Sequence, residues 1–356
     1  MKITALIMAG GKGERFWPKS RKNCPKQFLK LTDDNLTMIQ LTKERISVLV
    51  EKEDIYIVTN QEYKDLVEKQ LPDIPHENIL CEPIGRNTAP CVGLGAIHIL
   101  KKNEDALMIV LPSDHLIKFS NLYISVLKEA CDIAIKDENL VTIGITPDYP
   151  ETGYGYIKFD PNIANGRSFA VDKFVEKPNL SIAKEYISSE EYLWNSGTFV
   201  WKVSSIMKNF EKFLPDTYQR LLKIKEAIGT DQEEAILANE FTHMEPQSID
   251  YGIMEKAENI YTLPGTFGWD DVGSWLAVSR IKKSNDEGNV VEGDVITINT
   301  RNSVIQGSAR LIAAVGLENI IIVDTEDAIL ICAEDSSNDI KKVLENLKIC
   351  NRNSLI

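Results

Sequence analysis

The feature that most constrains this chain lies at its start, where the apolar run ITALIM (residues 3–8) leads into the glycine cluster AGGKG (residues 9–13). An apolar run closed by glycines reads as a buried strand feeding a tight loop. Gly10, Gly11 and Gly13 can take positive φ and bring backbone amides close to phosphate oxygens, while Arg15 and Lys26 add full positive charges. The loop is not a Walker A motif, which needs G-x-x-x-x-G-K-[ST], and Phe16 stands where a dinucleotide fingerprint has its third glycine. That fingerprint also asks for an acid about 20 residues on, which Asp33 supplies, yet the next strand-like run begins only near Asp54. The expectation is a loop that binds phosphate without belonging to either class.

Charge supports it. The chain carries a formal net charge of -13, but residues 1–30 hold eight basic side chains against one acid, Glu14, so that segment is +7 and the remainder -20. A basic island in an acidic chain suits a small polyanion, while the overall field disfavours nonspecific binding to nucleic acid or to an anionic membrane. No apolar run reaches the roughly 18 to 20 residues of a membrane span, and the N-terminus lacks the pattern of a secretory signal. A cytoplasmic protein is expected. The six cysteines lie far apart with no C-x-x-C, the pattern of free thiols.

Apolar runs recur at 54–60, 77–82, 106–114 and 139–146, separated by helix-like stretches near 36–50, 62–71, 88–102 and 120–136. Alternation of that kind predicts a doubly wound α/β domain on a mostly parallel sheet. Thr88, with Pro90 behind it, offers a helix start. From about residue 147 the regularity breaks into strand-like YGYIKF, FAVDKFVEKP and SGTFVWKV, with helices near 180–190 and 203–240, and a substrate-binding half is expected there. After GWDDVGSW and a helix to about Lys283, the polar segment KKSNDEG marks a boundary. Five short apolar strands at near-regular spacing then predict a small β-roll or β-helix, closed by a helix bearing Ile340, Val343, Leu344 and Leu347. The division expected is 1–284 for the main domain and 285–356 for a tail that carries no polar constellation.

The string GGKGERFWPKSRKNCPKQF (residues 10–28) resembles the opening signature of sugar-nucleotide pyrophosphorylases, in the form typical of mannose-1-phosphate guanylyltransferases. EPIGRNTAP, LPSDHLI, TGYGYIKF, FVEKP, WNSGTFVW, SIDYGIMEK and GWDDVGSW follow in that family's order, so the resemblance covers residues 6–275. It implies a Rossmann-like, GT-A-like nucleotidyltransferase that makes GDP-mannose and pyrophosphate from GTP and mannose 1-phosphate. A homodimer joined through the tail is expected from the same resemblance.

The chemistry asks for little covalent work by the protein. A sugar phosphate has a second pKa near 6, so the oxygen that attacks the α-phosphorus is already ionised at neutral pH. The obstacle is repulsion between anions, and catalysis reduces to positioning plus positive charge. Arg15 and Lys26 are the expected catalytic cations. Magnesium is the expected cofactor, with Asp114, which ends an apolar strand, and Asp271, which matches the family's second metal aspartate, as its ligands; Asp270 is the less favoured neighbour. The family's nucleotide-facing stretch maps onto Gly85, Asn87 and Thr88, although helix capping alone would explain Asn87 or Thr88, and the choice of guanine rests on the resemblance. For the sugar phosphate the expected residues are Tyr154, Gly155, Glu176, Lys177 and Asn195. His115 is given no role, and Trp269 and Trp275 are read as packing around the Asp271 turn.

Overall fold

β1 (Ile3–Ala9), as its apolar sequence requires, is covered on both faces inside a nine-stranded sheet. The computed structural model describes residues 1–356, except for the side chains of residues 162–165. β1 pairs in parallel with β2 (Ile55–Asn60) and β4 (Leu107–Pro112), and β2 pairs in parallel with β3 (Ile79–Glu82). Between these strands run α1 (Met38–Ile46), α2 (Lys64–Gln70) and α3 (Thr88–Lys102). The chain continues through the two-residue strand β5 (Leu116–Ile117), α4 (Ser120–Ala134), β6 (Leu140–Ile145), β7 (Gly155–Asn165), β8 (Ser168–Glu176), α5 (Leu180–Ser189) and β9 (Tyr192–Lys202). Then come α6 (Val203–Phe213), α7 (Pro215–Ala227), α8 (Glu233–Thr242) and β10 (Ile260–Gly265).

The sheet order is β3-β2-β1-β4-β9-β6-β10-β8-β7. The sheet is mixed, which corrects the mostly parallel expectation. β9 runs antiparallel between β4 and β6, and β7 and β8 form an antiparallel ribbon at one side. The physical reason is that β9 is reached from a hairpin and α5, with no crossover returning it in the parallel sense. The helical region expected near 203–240 is three helices, and the first two part where the backbone leaves helical geometry at Leu214 and Pro215 opens α7 at its first turn.

Packing groups residues 1–10, 42–113 and 117–269 into one compact unit, which holds this sheet. Its core runs from Leu6 and Val58 through Leu94, Val110 and Trp201 to Phe210 and Ile253.

A second unit gathers residues 11–41, 114–116 and 270–356. After the short β11 (Trp269–Asp270) come α9 (Trp275–Ile281), β12 (Val290–Glu292), β13 (Val295–Ile298), β14 (Val304–Gln306), β15 (Ile312–Val315), β16 (Ile320–Asp324), β17 (Ile329–Ala333) and α10 (Ile340–Ile349). β12, β14 and β16 stack in parallel, as do β13 and β15, and β17 closes the larger group antiparallel. The tail is thus a β-rich coil of successive parallel rungs. Its core takes in Phe16, Trp17 and Leu31 from the N-terminal loop together with Trp275, Val304, Ile321, Ile340 and Leu344. The Trp17 indole donates to the Leu355 carbonyl at 2.7 Å and the Arg21 guanidinium to the same oxygen at 2.8 Å. The packing therefore joins the loop to the tail, where the division by sequence separates them.

Candidate active site

Within the second unit, the loop geometry is set by Gly13. It has φ of 57°, and a Cβ there would sit 2.3 Å from the Lys26 Cβ, so only glycine lets the loop pass that close. Gly10 and Gly11 do not take positive φ, which narrows the expectation for the three glycines to one. Pro25 then starts a short 3-10 turn over Lys26–Phe28 that buries Lys26 to 5% exposure. A buried ammonium needs polar partners, and among the described residues it meets Asp114 Oδ2 at 2.9 Å and the Asp271 backbone oxygen at 2.5 Å. Burial works against the charge on Asp114, but Lys26 and then His115 outweigh it and hold the carboxyl below the ordinary carboxylate range. Arg15 is exposed and reaches the Gly273 carbonyl at 3.4 Å.

The two neighbouring aspartates differ. Asp270 accepts from the Val272 amide at 2.7 Å and pairs with Arg280 at 2.9 Å, and burial raises its pKa in spite of that arginine. Asp271 accepts from the Gly273 amide at 2.9 Å, an Asx-type turn that orients its carboxylate. Among the described residues, no cluster of three or more His, Cys, Asp or Glu could hold a metal. The donor set of Asp114 and Asp271 fits magnesium on chemical grounds, since that ion takes one or two carboxylates and completes its shell with phosphate oxygens and water. Trp275 is fully buried, packs on Phe16 at 5.1 Å between centroids and donates to the Trp17 carbonyl at 3.0 Å, a packing role as expected.

The remaining expected residues lie in the first unit and form two groups. At the carboxyl end of β3, Gly85 is open, with nothing within 4 Å of a Cβ built there. The cap of α3 is Asn87, not Thr88: its Oδ1 accepts from the Thr88 amide at 2.8 Å, at a positive φ of 68°. The Thr88 hydroxyl is committed elsewhere, accepting from the Ile249 amide at 2.8 Å.

On the sheet's antiparallel side, Gly155 stands opposite Glu176 in the β7–β8 register, and a Cβ there would come within 2.3 Å of Glu176 Oε1. The missing side chain is the space the carboxylate occupies. Lys177, exposed, places its ammonium 3.4 Å from Glu176 Oε2. Asn195 sits where the β6–β9 register slips, and its Oδ1 accepts from the Gly197 amide at 3.0 Å while its Nδ2 donates to Asp250 Oδ1 at 2.8 Å. Tyr154 is 9% exposed, its ring packed edge-on against Trp194 and Trp269 at 5.3 and 5.2 Å. Trp269 packs on Tyr154, a packing role of the kind expected.

Two acids given no role in the sequence analysis stand out. Glu82, at the end of β3, is 4% exposed, has no hydrogen-bond partner at Oε1 among the described residues, and is pushed up to about 8 by burial. Its Oε2 lies 3.3 Å from where a Gly10 Cβ would be. Asp250, the first residue of a π-helical turn, is pushed up to about 6 by burial and then by the charge of Glu176. The available signal was an acid closing an apolar strand in one case and the family segment SIDYGIMEK in the other. A cavity of about 650 Å³ beside β3, lined by Tyr56, Lys64 and His98 among others, contains none of the expected residues.

The chain is similar to known proteins over nearly its whole length. The nucleotidyl transferase family model matches residues 4–287, and a model of the MannoseP isomerase/GMP-like beta-helix domain matches residues 293–347. Mannose-1-phosphate guanylyltransferase 2 of Escherichia coli O157:H7 is 39% identical over 99% of this chain and 75% of its own length. Mannose-1-phosphate guanylyltransferase of Salmonella montevideo is 39% identical over 99% of this chain and 76% of its own. A crystal structure named as mannose-1-phosphate geranyltransferase from Thermus thermophilus superposes with a TM-score of 0.89 at 32% identity, covering 98% of this chain and 100% of that one. Likeness of this extent, carried through both the catalytic-type domain and the β-rich tail, means that the chain belongs to the nucleotidyl transferase family, among the mannose-1-phosphate guanylyltransferases.

Proposed function

We propose that the protein transfers GMP from GTP to mannose 1-phosphate, giving GDP-mannose and pyrophosphate. The observation that carries the reading is the buried Lys26 ammonium held against Asp114 and the Asp271 backbone. A phosphate oxygen of mannose 1-phosphate attacks the α-phosphorus of GTP, a new P–O bond forms, and the bond to the β-phosphate oxygen breaks in line to release pyrophosphate. No general base is required. Lys26 and Arg15 offset the charge of the triphosphate and of the departing pyrophosphate. Asp114 and Asp271 would hold a magnesium ion, which when bound would supply the further positive charge that anion-on-anion attack demands.

Gly10, Gly11 and Gly13 present backbone to the phosphates, and Gly85, Asn87 and Thr88 face base and ribose. Glu176 and Asn195 hydrogen-bond sugar hydroxyls, Lys177 pairs with the sugar phosphate, and Tyr154 and Gly155 shape the backbone there. Residues 1–284 carry this chemistry, and 285–356 serve as scaffold and dimer surface. Exposed Ile296, Ile298 and Val315 on the tail support a homodimer through that face, which light scattering would report as twice the chain mass. No helix among the described residues is long and apolar enough to cross a membrane, which fits a cytoplasmic enzyme of small-molecule substrates.

The test is pyrophosphate release with GTP, mannose 1-phosphate and magnesium, each omitted in turn, against a panel of other triphosphates and sugar 1-phosphates. Turnover requires all three components if the reading holds. Equal rates with another base or sugar would replace the substrates named, and no turnover with any pair would remove the reading.

A further inference from the structure

The Asn195 side chain has both ends committed. A backbone amide can only donate, so the 3.0 Å bond from Gly197 fixes which atom is Oδ1, and the 2.8 Å contact to a carboxyl oxygen fixes the other end as Nδ2. What is left for a ligand is one N–H and one lone pair in a set orientation. That orientation depends on Asp250, and Asp250 is itself held from behind. The Ile249 amide donates to the Thr88 hydroxyl at 2.8 Å, the Ala89 amide to the Gln247 carbonyl at 2.9 Å, and the Gln247 amide to the Arg86 carbonyl at 3.2 Å. Segment 247–250 is stitched to segment 86–89 by these three bonds, and it then enters the π-helical turn Asp250–Met254. Such turns are rare and cluster at functional sites. Burial and the nearby charge of Glu176 oppose ionisation of Asp250, so the fold retains a partly buried acid here at a cost in stability.

We propose that Asp250 is the positioning residue of the sugar subsite: it holds the Asn195 amide in the one orientation that meets a sugar hydroxyl, and segment 247–250 ties that orientation to the nucleotide-side loop at Arg86–Ala89. This rests on the assignment of Asn195 and Glu176 to the sugar 1-phosphate. Asp250 does not touch the reacting phosphorus and takes no proton in the reaction.

The experiment is steady-state kinetics on the full chain with magnesium, varying GTP and the sugar 1-phosphate independently. Asp250→Ala is expected to raise KM for the sugar 1-phosphate about tenfold, the scale of one good hydrogen bond, while KM for GTP stays within about twofold. Asp250→Asn keeps an acceptor for Asn195 and is expected to recover most of that loss. An unchanged sugar KM in Asp250→Ala, an equal rise in both KM values, or an asparagine variant as impaired as the alanine one would overturn the proposal. If Asp250→Ala fails to fold, Asp250→Leu, similar in shape but without an acceptor for Asn195, takes its place: it should reproduce the sugar KM rise, and adding Asn195→Ala to it should raise that KM no further. Simple additivity would overturn the proposal. Whichever sugar 1-phosphate the wild type turns over is the one used, so failure of mannose 1-phosphate itself counts against the proposed function and leaves the KM ratios to judge Asp250.

Discussion

Lys26 Nζ lies 2.9 Å from Asp114 Oδ2 although 88 positions separate the two residues in the sequence, and the lysine side chain is only 6% exposed while the aspartate is 32% exposed. The partly open carboxylate and the enclosed ammonium form an asymmetric pair. On the proposed role, removing the lysine deletes a fixed charge where negative charge develops. Lys26→Ala is therefore expected to lower kcat by two or more orders of magnitude with the fold kept, as judged by circular dichroism. Asp271→Ala should fall in the same range. Near-normal turnover in either variant would remove the catalytic assignment.

Gly13 has a second testable property. Its positive φ and the 2.3 Å approach to the Lys26 Cβ leave no room for a methyl group against backbone that cannot shift cheaply. Gly13→Ala is expected to cost about 1 to 3 kcal/mol of stability and to displace Lys26, with turnover falling alongside. Gly11→Ala is the control, because nothing lies within 4 Å of its added Cβ. Equal melting temperatures for the two variants would contradict the packing account.

Glu82 gives the protein a pH signature. Its folded pKa of about 8 exceeds the ordinary value of 4.5, so between those two pH values the folded chain keeps a proton that the unfolded chain has lost. The unfolded state binds fewer protons there, and this group's contribution to stability falls as pH rises from about 4.5 to about 8. Glu82→Gln removes the titration. Its melting temperature should gain on the wild type at pH 8.5 relative to the difference at pH 5.5, and a constant offset across that range would show that Glu82 does not titrate in this window.

The last two residues brace the N-terminal loop through the Leu355 carbonyl, which takes the Trp17 and Arg21 donors, and the Ile356 carbonyl, which accepts from the Lys22 amide at 3.1 Å. Deleting 355–356 strands the part-buried Trp17 indole N–H. A drop of several degrees in melting temperature is expected, on the scale of about 1 to 3 kcal/mol for unpaired buried groups, with a further loss of turnover as the segment bearing Lys26 loosens. Unchanged melting and rate would mean that these bonds brace nothing.

What the chain's local chemistry determined by itself is considerable. The apolar runs announced β1, β2, β4 and β6, and the helical stretches at 88–102 and 120–136 fell where α3 and α4 lie. These are properties of neighbours in sequence, since a strand's burial and a loop's turn depend on residues within a few positions. The tertiary structure decided the rest. That β9 enters antiparallel between β4 and β6 depends on which edges were open to it, and no short window encodes that choice. Asn87 caps α3, and the Thr88 hydroxyl accepts from the Ile249 amide, 161 positions away. Lys26 meets the Asp271 backbone across 245 positions, and Asn195 meets Asp250 across 55. Sequence supplied the chemical character of each of these groups, but a buried charge or amide takes whichever partner the packed core brings within 3 Å, and only the folded chain fixes which one that is.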